Sequence, residues 1–192
     1  SLIKLMLGKQ QVKELRQKNA KILLKKNDLR IEIPAMNFIN NDEAVEIIIE
    51  KLQKVKGAVS NAYDLTIVQG NQTISDFKTP VTLTFKINEE MVENPENVKI
   101  YYFNEDNEMW ELVGGTYQEN GFVTTATNHF SIFAVFESAE EFIAGEKPEA
   151  IKEGAGEKLP NTATFSYNFL LIGVFLIVIG TILFLRRTRK AK

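Results

Sequence analysis

The 192-residue chain has no cysteine, one histidine and one tryptophan. Each shortage removes a class of chemistry. Without cysteine there is no disulfide framework, no thiolate metal site and no cysteine nucleophile. With His129 as the sole histidine there is no histidine pair, no zinc triad and no serine–histidine relay. A lone histidine beside an apolar strand reads as structural. Carboxylates are plentiful, but Asp64 and Asp76 have no visible partner, and Glu89, Glu90, Glu93 and Glu96 read as a solvated loop. Asn104, Asp106 and Glu108 alternate as calcium ligands do, yet the glycine and terminal bidentate glutamate of such a loop are missing. The chain therefore reads as non-catalytic, with no cofactor and no metal.

Two further shortages bear on location. The stretch from Ser1 to Leu7 has neither the basic lead nor the full apolar core of a signal peptide. A basic excess is also lacking, since the net charge is −2. Five of the basic residues (Arg186, Arg187, Arg189, Lys190 and Lys192) lie after residue 163 with no acid among them, so residues 1–162 carry −7. A net acidic domain argues against nucleic acid or anionic lipid as a partner, because both need a basic face.

What is present is concentrated at the C-terminal end. Residues 169–185 are 17 uncharged, mostly aliphatic or aromatic residues, enough for a helix of roughly 25 Å, the short end of a bilayer span. The five basic residues follow directly, where the positive-inside rule places a cytoplasmic flank. Just upstream stands Leu159-Pro160-Asn161-Thr162-Ala163. Pro160 fixes φ and favours an extended, non-helical segment.

That order of pentapeptide, apolar run and basic tail resembles the LPXTG cell-wall sorting signal of Gram-positive surface proteins. The resemblance implies a sortase that attacks the Thr162 carbonyl, cleaves between Thr162 and Ala163, and transfers the chain covalently to peptidoglycan. It also implies a protein held transiently in the membrane before processing, with residues 186–192 as the stop-transfer tail, and then displayed on the cell wall. Ala163 stands where the motif has glycine, which leaves open the class of sortase. A sorting signal without an export signal implies the C-terminal piece of a longer exported chain.

Upstream of the anchor the sequence reads as short strands. Residues 9–19 are rich in helix formers, with Val12 and Leu15 on one face and a basic opposite face, and residues 1–19 are expected as a helical lead-in. Two runs, 22–25 and 29–33, flank a Lys26-Asn27-Asp28 turn and predict a hairpin. Residues 45–50 fit a strand, while 43–56 also fit a helical stripe through Val45, Ile48, Ile49 and Leu52; the β-branched content favours the strand. Pro80 opens the clearest alternation, Val81, Leu83, Phe85 and Ile87. Further strands are expected over 98–103, 109–113, 122–127 and 130–136, with Gly114-Gly115 as a break and Asn120-Gly121 as a tight hairpin turn.

Eight to ten such strands with almost no helix read as a mainly β, antiparallel sandwich over residues 20–137. Trp110-Glu111-Leu112-Val113-Gly114-Gly115 and Asn128-His129-Phe130-Ser131 resemble the closing half of Ig-like modules in wall-anchored proteins. For an exported sandwich of that class a Lys86–Asn128 isopeptide bond is arithmetically available. Tyr101, Phe103, Trp110 and Tyr117 form a carbohydrate platform if they share an exposed face and core if they do not. Residues 138–158, rich in glutamate, alanine, glycine and lysine, are expected to be an extended acidic spacer before the sorting motif at 159–163, the membrane segment at 164–185 and the tail at 186–192.

The expectation is a non-catalytic, adhesin-like surface module whose partners are a sortase and peptidoglycan. No residue pattern specifies a host or matrix ligand. The alternatives are the stalk and anchor of a larger wall-bound enzyme, or a permanent single-pass membrane protein.

Overall fold

A computed structural model of the protein describes residues 1–151. The expected sorting motif, C-terminal transmembrane helix and basic tail lie outside the described residues, as does the end of the expected spacer. Among the described residues no helix is long and apolar enough to cross a membrane.

The first element is a strand, β1 (Leu2–Leu7), followed by α1 (Lys9–Gln17). The expected helical lead-in over 1–19 is thus helical only in its second half. β1 lies antiparallel to β4 (Val45–Lys51), from Leu2 opposite Glu50 to Leu7 opposite Val45. Its partner is some forty residues away, which local composition cannot reveal. Helix α1 begins at Gly8, whose N–H is taken by Gln11 Oε1 at 2.8 Å. It buries Val12 completely and packs Leu15 on the core.

The hairpin of β2 (Lys21–Lys25) and β3 (Leu29–Pro34) follows as the turn signal predicts. β4 is a strand because both its edges are paired, one to β1 and the other to β5 (Tyr63–Gln69). Then come β6 (Gln72–Thr73), β7 (Asp76–Lys86), β8 (Val98–Asn104), β9 (Met109–Gly114), β10 (Thr116–Gln118), β11 (Phe122–His129), β12 (Ile132–Glu137) and β13 (Phe142–Ala144). Pro80 does not open β7 but sits inside it, where the ladder to β11 shifts register between Thr127 and His129. A residue without an N–H is tolerated at such an irregularity. Asn37 serves the backbone there, donating to the Thr79 carbonyl at 2.7 Å and accepting from the Thr79 N–H at 3.1 Å.

These strands form two antiparallel sheets. The larger runs β1-β4-β5-β12-β8-β9-β13, with β6 on β5, and the smaller β10-β11-β7-β3-β2. The chain passes from one to the other between β9 and β10 at Gly114 and Gly115, both at positive φ (114° and 133°). A Cβ on Gly115 would also come within 3.0 Å of Val123 Cγ1, so the crossing needs glycine. Ile31, Leu83 and Phe85 of the smaller sheet and Ile47, Tyr63, Ile67 and Ile100 of the larger share one buried cluster.

Polar groups stitch this layer together. Gln69 is fully buried: its Oε1 accepts from Ile39 N at 2.6 Å, and its Nε2 donates to the Asn40 carbonyl at 2.8 Å. Gln69→Leu is expected to orphan both backbone groups and cost about 1–3 kcal/mol, read as a shift in urea midpoint at unchanged slope. Asp28, in the β2–β3 turn, accepts from Tyr63 Oη (2.7 and 2.8 Å) and Asn61 Nδ2 (2.5 Å), tying the smaller sheet to the larger. Burial opposes ionisation there. The two hydrogen bonds and the charges of Lys51 and Lys26 outweigh it, and hold Asp28 below the usual carboxylate range.

A second buried cluster lies on the other face of the larger sheet. Alternation along β8 sends Ile100 to the shared core, whereas Tyr101 and Phe103 point away from it. β12 likewise divides Phe133 and Val135 from Ile132, Ala134 and Phe136. Trp110, Leu52, Val55, Ala58 and Ala62 complete the second cluster. Two layers of apolar side chains therefore sandwich β8 and β12, and every residue of β12 from Ile132 to Phe136 is buried.

Candidate functional site

Several residues singled out by the sequence turn out to be structural. The alternation of Asn104, Asp106 and Glu108 belongs to the β8–β9 turn. Asn104 Oδ1 accepts from Asp106 N at 2.9 Å, its Nδ2 donates to Glu111 Oε1 at 2.8 Å, and Glu108 takes a left-handed φ of 55°. The amide oxygens of Asn104 and Asn107 cap the turn, and among the described residues no three His, Asp or Glu side chains converge on a metal position. The Lys86–Asn128 cross-link is ruled out by register. Lys86 faces Phe122 at one end of the β7–β11 ladder, while Asn128 follows Thr127, which faces Val81. Six residues of strand, about 20 Å, separate the two.

The aromatic residues share no exposed platform. Tyr101, Phe103 and Trp110 are buried in the second cluster, and half-buried Tyr117 donates its hydroxyl to Glu89 Oε1 at 2.7 Å. Glu89 is therefore engaged rather than free in a solvated loop. Asp64 lies directly opposite Glu50 on the β4–β5 ladder. Burial, then Glu50, push its carboxyl above the ordinary range, against the pull of Lys147.

A polar group at the β8–β9 end engages His129. Glu111 accepts from Tyr102 Oη, Asn104 Nδ2 and Asn107 Nδ2. Burial and the Glu111 contact push the Tyr102 hydroxyl up to about 12. The His129 ring meets Tyr102 edge-on at 4.5 Å, and its buried Nε2 has no hydrogen-bond partner. Burial lowers the His129 pKa, although Asp76 and Glu111 pull the other way. The unfolded chain, whose histidine titrates near about 6.5, then takes the proton more readily than the folded one. Stability present above that pH is lost as pH falls toward the lower folded pKa. Melting temperature is therefore expected to drop more between about pH 7.5 and 5.5 in the native chain than in His129→Gln. Parallel curves would contradict this role.

The feature with most bearing on function is where the chain leaves the domain. After β12 the polypeptide does not depart as a free spacer. Tyr101 Oη donates to the carbonyls of Ser138 and Glu140, at 3.2 and 2.6 Å. β13 then pairs with β9, Phe142 opposite Glu111 and Ala144 opposite Met109. Gly145 lies against the indole of Trp110, where a Cβ would meet the ring at 2.8 Å. Lys147 reaches Glu105 at 2.7 Å, the Glu149 carbonyl accepts from Gln53 N at 2.8 Å, and Ala150 bridges to Leu52. The expected acidic spacer is thus, as far as Ala150, a strap closed over the second apolar cluster. Its glutamates point outward while Ile143 and Ala150 pack inward. Sequence reasoning missed the strap because its apolar residues are few; Phe142-Ile143-Ala144 was the available signal.

Comparison with known proteins divides the chain at this point. Residues 13–137 match the Zu5-like domain family, and residues 151–192 match the LPXTG cell wall anchor motif. An Evansella cellulosilytica protein named "Putative membrane protein" is 32% identical over 94% of this chain and 32% of its own length. The trifunctional nucleotide phosphoesterase protein YfkN of Bacillus subtilis is 23% identical over 83% of this chain and 14% of its own. The amylopullulanase of Thermoanaerobacterium thermosulfurigenes is 33% identical over 67% of this chain and 7% of its own. The chain spans about a third or less of the length of these relatives.

Proposed function

Because the chain belongs to the Zu5-like domain family and is a cell-wall-anchored, exported surface protein, we propose that its β domain is a non-catalytic, adhesin-like module. A sortase would join it to peptidoglycan by cutting between Thr162 and Ala163. The carrying observation is the order of elements within the matched anchor: Leu159 to Ala163, then the apolar run, then Arg186, Arg187, Arg189, Lys190 and Lys192. In this reading residues 164–185 hold the precursor in the membrane and the basic tail stops its transfer. The reactive carbonyl is that of Thr162. Attack by the enzyme's nucleophile breaks the Thr162–Ala163 amide, and an amine of the peptidoglycan precursor then displaces the enzyme and forms a new amide at the same carbon.

The two-sheet body supports an Ig-like sandwich as the architecture of the displayed module. The docked strap supports a short tether: only residues 151–162 separate Ala150 from the attachment point. Fully extended they span roughly 40 Å. Digesting cell walls with a muralytic enzyme is expected to release a peptide ending at Thr162 and carrying a peptidoglycan stub. Recovery of the intact C-terminus through Lys192 from the same fraction would overturn the reading in favour of a permanent single-pass anchor.

A second reading makes this module the wall end of a larger enzyme. Two relatives bear enzyme names, and the matched stretch is a small share of each. The reading frame upstream of Ser1 in the gene separates the two, since a catalytic domain there would favour the second.

A further inference from the structure

The net charge of the chain conceals a strong separation. Residues 1–30 hold nine Lys or Arg against Glu14 and Asp28, a net of +7, whereas residues 31–151 hold seven against 21 acids, a net of −14. The fold gathers most of the basic residues of 1–30 on two sheet edges, where Glu46 and Glu32 of the neighbouring strands reach two of them. β1 forms one edge of the larger sheet and β2 one edge of the smaller. The edges meet: Ile3, Leu24, Lys25 and Ile49 line one small cleft, and Lys26 Nζ donates to Ser1 Oγ at 2.9 Å. Helix α1 connects them. The acidic strap, with Glu140, Glu141 and Glu146, closes the opposite edge of the larger sheet beside β13. Seven strands at about 4.8 Å place these edges roughly 29 Å apart. That is several Debye lengths at physiological salt, so the acidic edge does not neutralise the basic one.

The basic edge is also only partly compensated locally. Lys4 pairs with Glu46, and Lys21 with Glu32. Lys9, Lys13, Lys18 and Lys25 are exposed and form no ion pair among the described residues. On α1 the positions of Lys9, Lys13 and Arg16 (i, i+4, i+7) make one stripe, with Lys9 and Lys13 about 6 Å apart along the axis. Glu14 lies about 130° round the helix from the middle of that stripe, bonded to Gln10. Arg16 donates to the neutral amide of Asn41, next to Asp42 and Glu43 in sequence.

From this separation we infer that the α1–β2 edge binds an extended polymer carrying repeated phosphate groups. Solvated ammonium groups that hold no ion-pair partner suit a chain of point anions and draw affinity from counterion release. Residues 1–30 contain no aromatic side chain, so the surface has nothing on which to stack bases and does not read nucleic acid. The apolar residues exposed nearby, Leu2, Ile3, Met6 and Leu23, all lie on the strands β1 and β2. They do not form the continuous apolar face with which a helix enters a lipid interface. Net charge alone argued against phosphate partners; the segregation reverses that argument for one edge of the domain. The proposal is independent of the sortase reading.

The test uses the full chain in uncharged detergent with long-chain inorganic polyphosphate as probe. Binding is expected at low salt and to weaken steeply as salt rises. Lys9→Gln/Lys13→Gln/Lys18→Gln/Lys25→Gln is expected to bind at least about tenfold more weakly, with a shallower salt slope. Lys54→Gln/Lys56→Gln, which removes two exposed lysines beside the acidic strap, is expected to bind as the native chain does. A single-stranded oligonucleotide of matched charge should bind no tighter than polyphosphate. No polyphosphate binding, an equal loss in both variants, or binding only to micelles doped with an anionic lipid would each overturn the proposal. A change in oligomeric state in the quadruple variant with polyphosphate affinity unaltered would do the same, assigning the edge to a second copy of the chain.

Discussion

A chain carrying Thr162→Val is expected to accumulate in the membrane fraction, with the wall-linked form reduced on the order of 100-fold or more. Valine matches threonine in shape and removes only the hydroxyl, so the loss would report recognition at the cleaved residue rather than bulk. A site that hydrogen-bonds a substrate hydroxyl rejects an analogue lacking it far more strongly than a missing methylene would explain. The folded domain ends its described contacts at Ala150, twelve residues before the substitution, so its melting temperature should not change. Ala163→Gly, tested beside it, identifies the enzyme. Faster processing points to a sortase that prefers glycine, and slower processing to one adapted to alanine. Undiminished wall linkage in Thr162→Val would refute Thr162 as the attachment residue.

Trp110→Ala should cost about 3–5 kcal/mol, the largest effect expected of a single change within the domain. The indole is fully buried, meeting Phe103 at 5.4 Å and Phe136 at 5.2 Å between ring centres. Its remaining side is closed by Gly145 of the strap. Truncation therefore leaves a cavity under a segment held by one short strand and a few polar contacts, and the strap loses the surface on which it rests. At this domain size the cost corresponds to a fall in melting temperature of about 10 °C or more. Gly145→Val separates the strap from the core. Its Cβ cannot fit 2.8 Å from the ring, so the strap should lift and the emission of the only tryptophan should shift to the red. The shared core between the sheets would remain. An unshifted emission in Gly145→Val, or a Trp110→Ala loss below about 1 kcal/mol, would show that the strap does not seal this cluster.

The particular elements show how far local patterning carries. The Val81-Leu83-Phe85 alternation, the Lys26-Asn27-Asp28 turn and the Asn120-Gly121 turn all appear where the sequence puts them, because period-two burial and turn chemistry are encoded within a few residues. Residues 45–51 could have been helix or strand, and pairing on both edges decided it. β1 and β13 were missed for a related reason. Each is short, at a sheet edge, and held by partners remote or modest in number. The isopeptide pair failed because neighbouring strands do not imply neighbouring residues; register, set by the whole ladder, put Lys86 and Asn128 at opposite ends.

By itself the sequence determined the destination of this protein, since the cell wall anchor motif is a linear segment legible without the fold. It also determined the strand-rich character of the domain and the absence of cysteine chemistry. Tertiary structure alone decided the rest. Stacking two sheets and covering one of them on its outer face turned Tyr101, Phe103 and Trp110 into core. It also converted the first part of an acidic spacer into a strap. Bringing β1, α1 and β2 to one edge gathered charges that composition had averaged away. Burial and electrostatic potential depend on which surfaces meet in space, and that is settled only when distant strands pair.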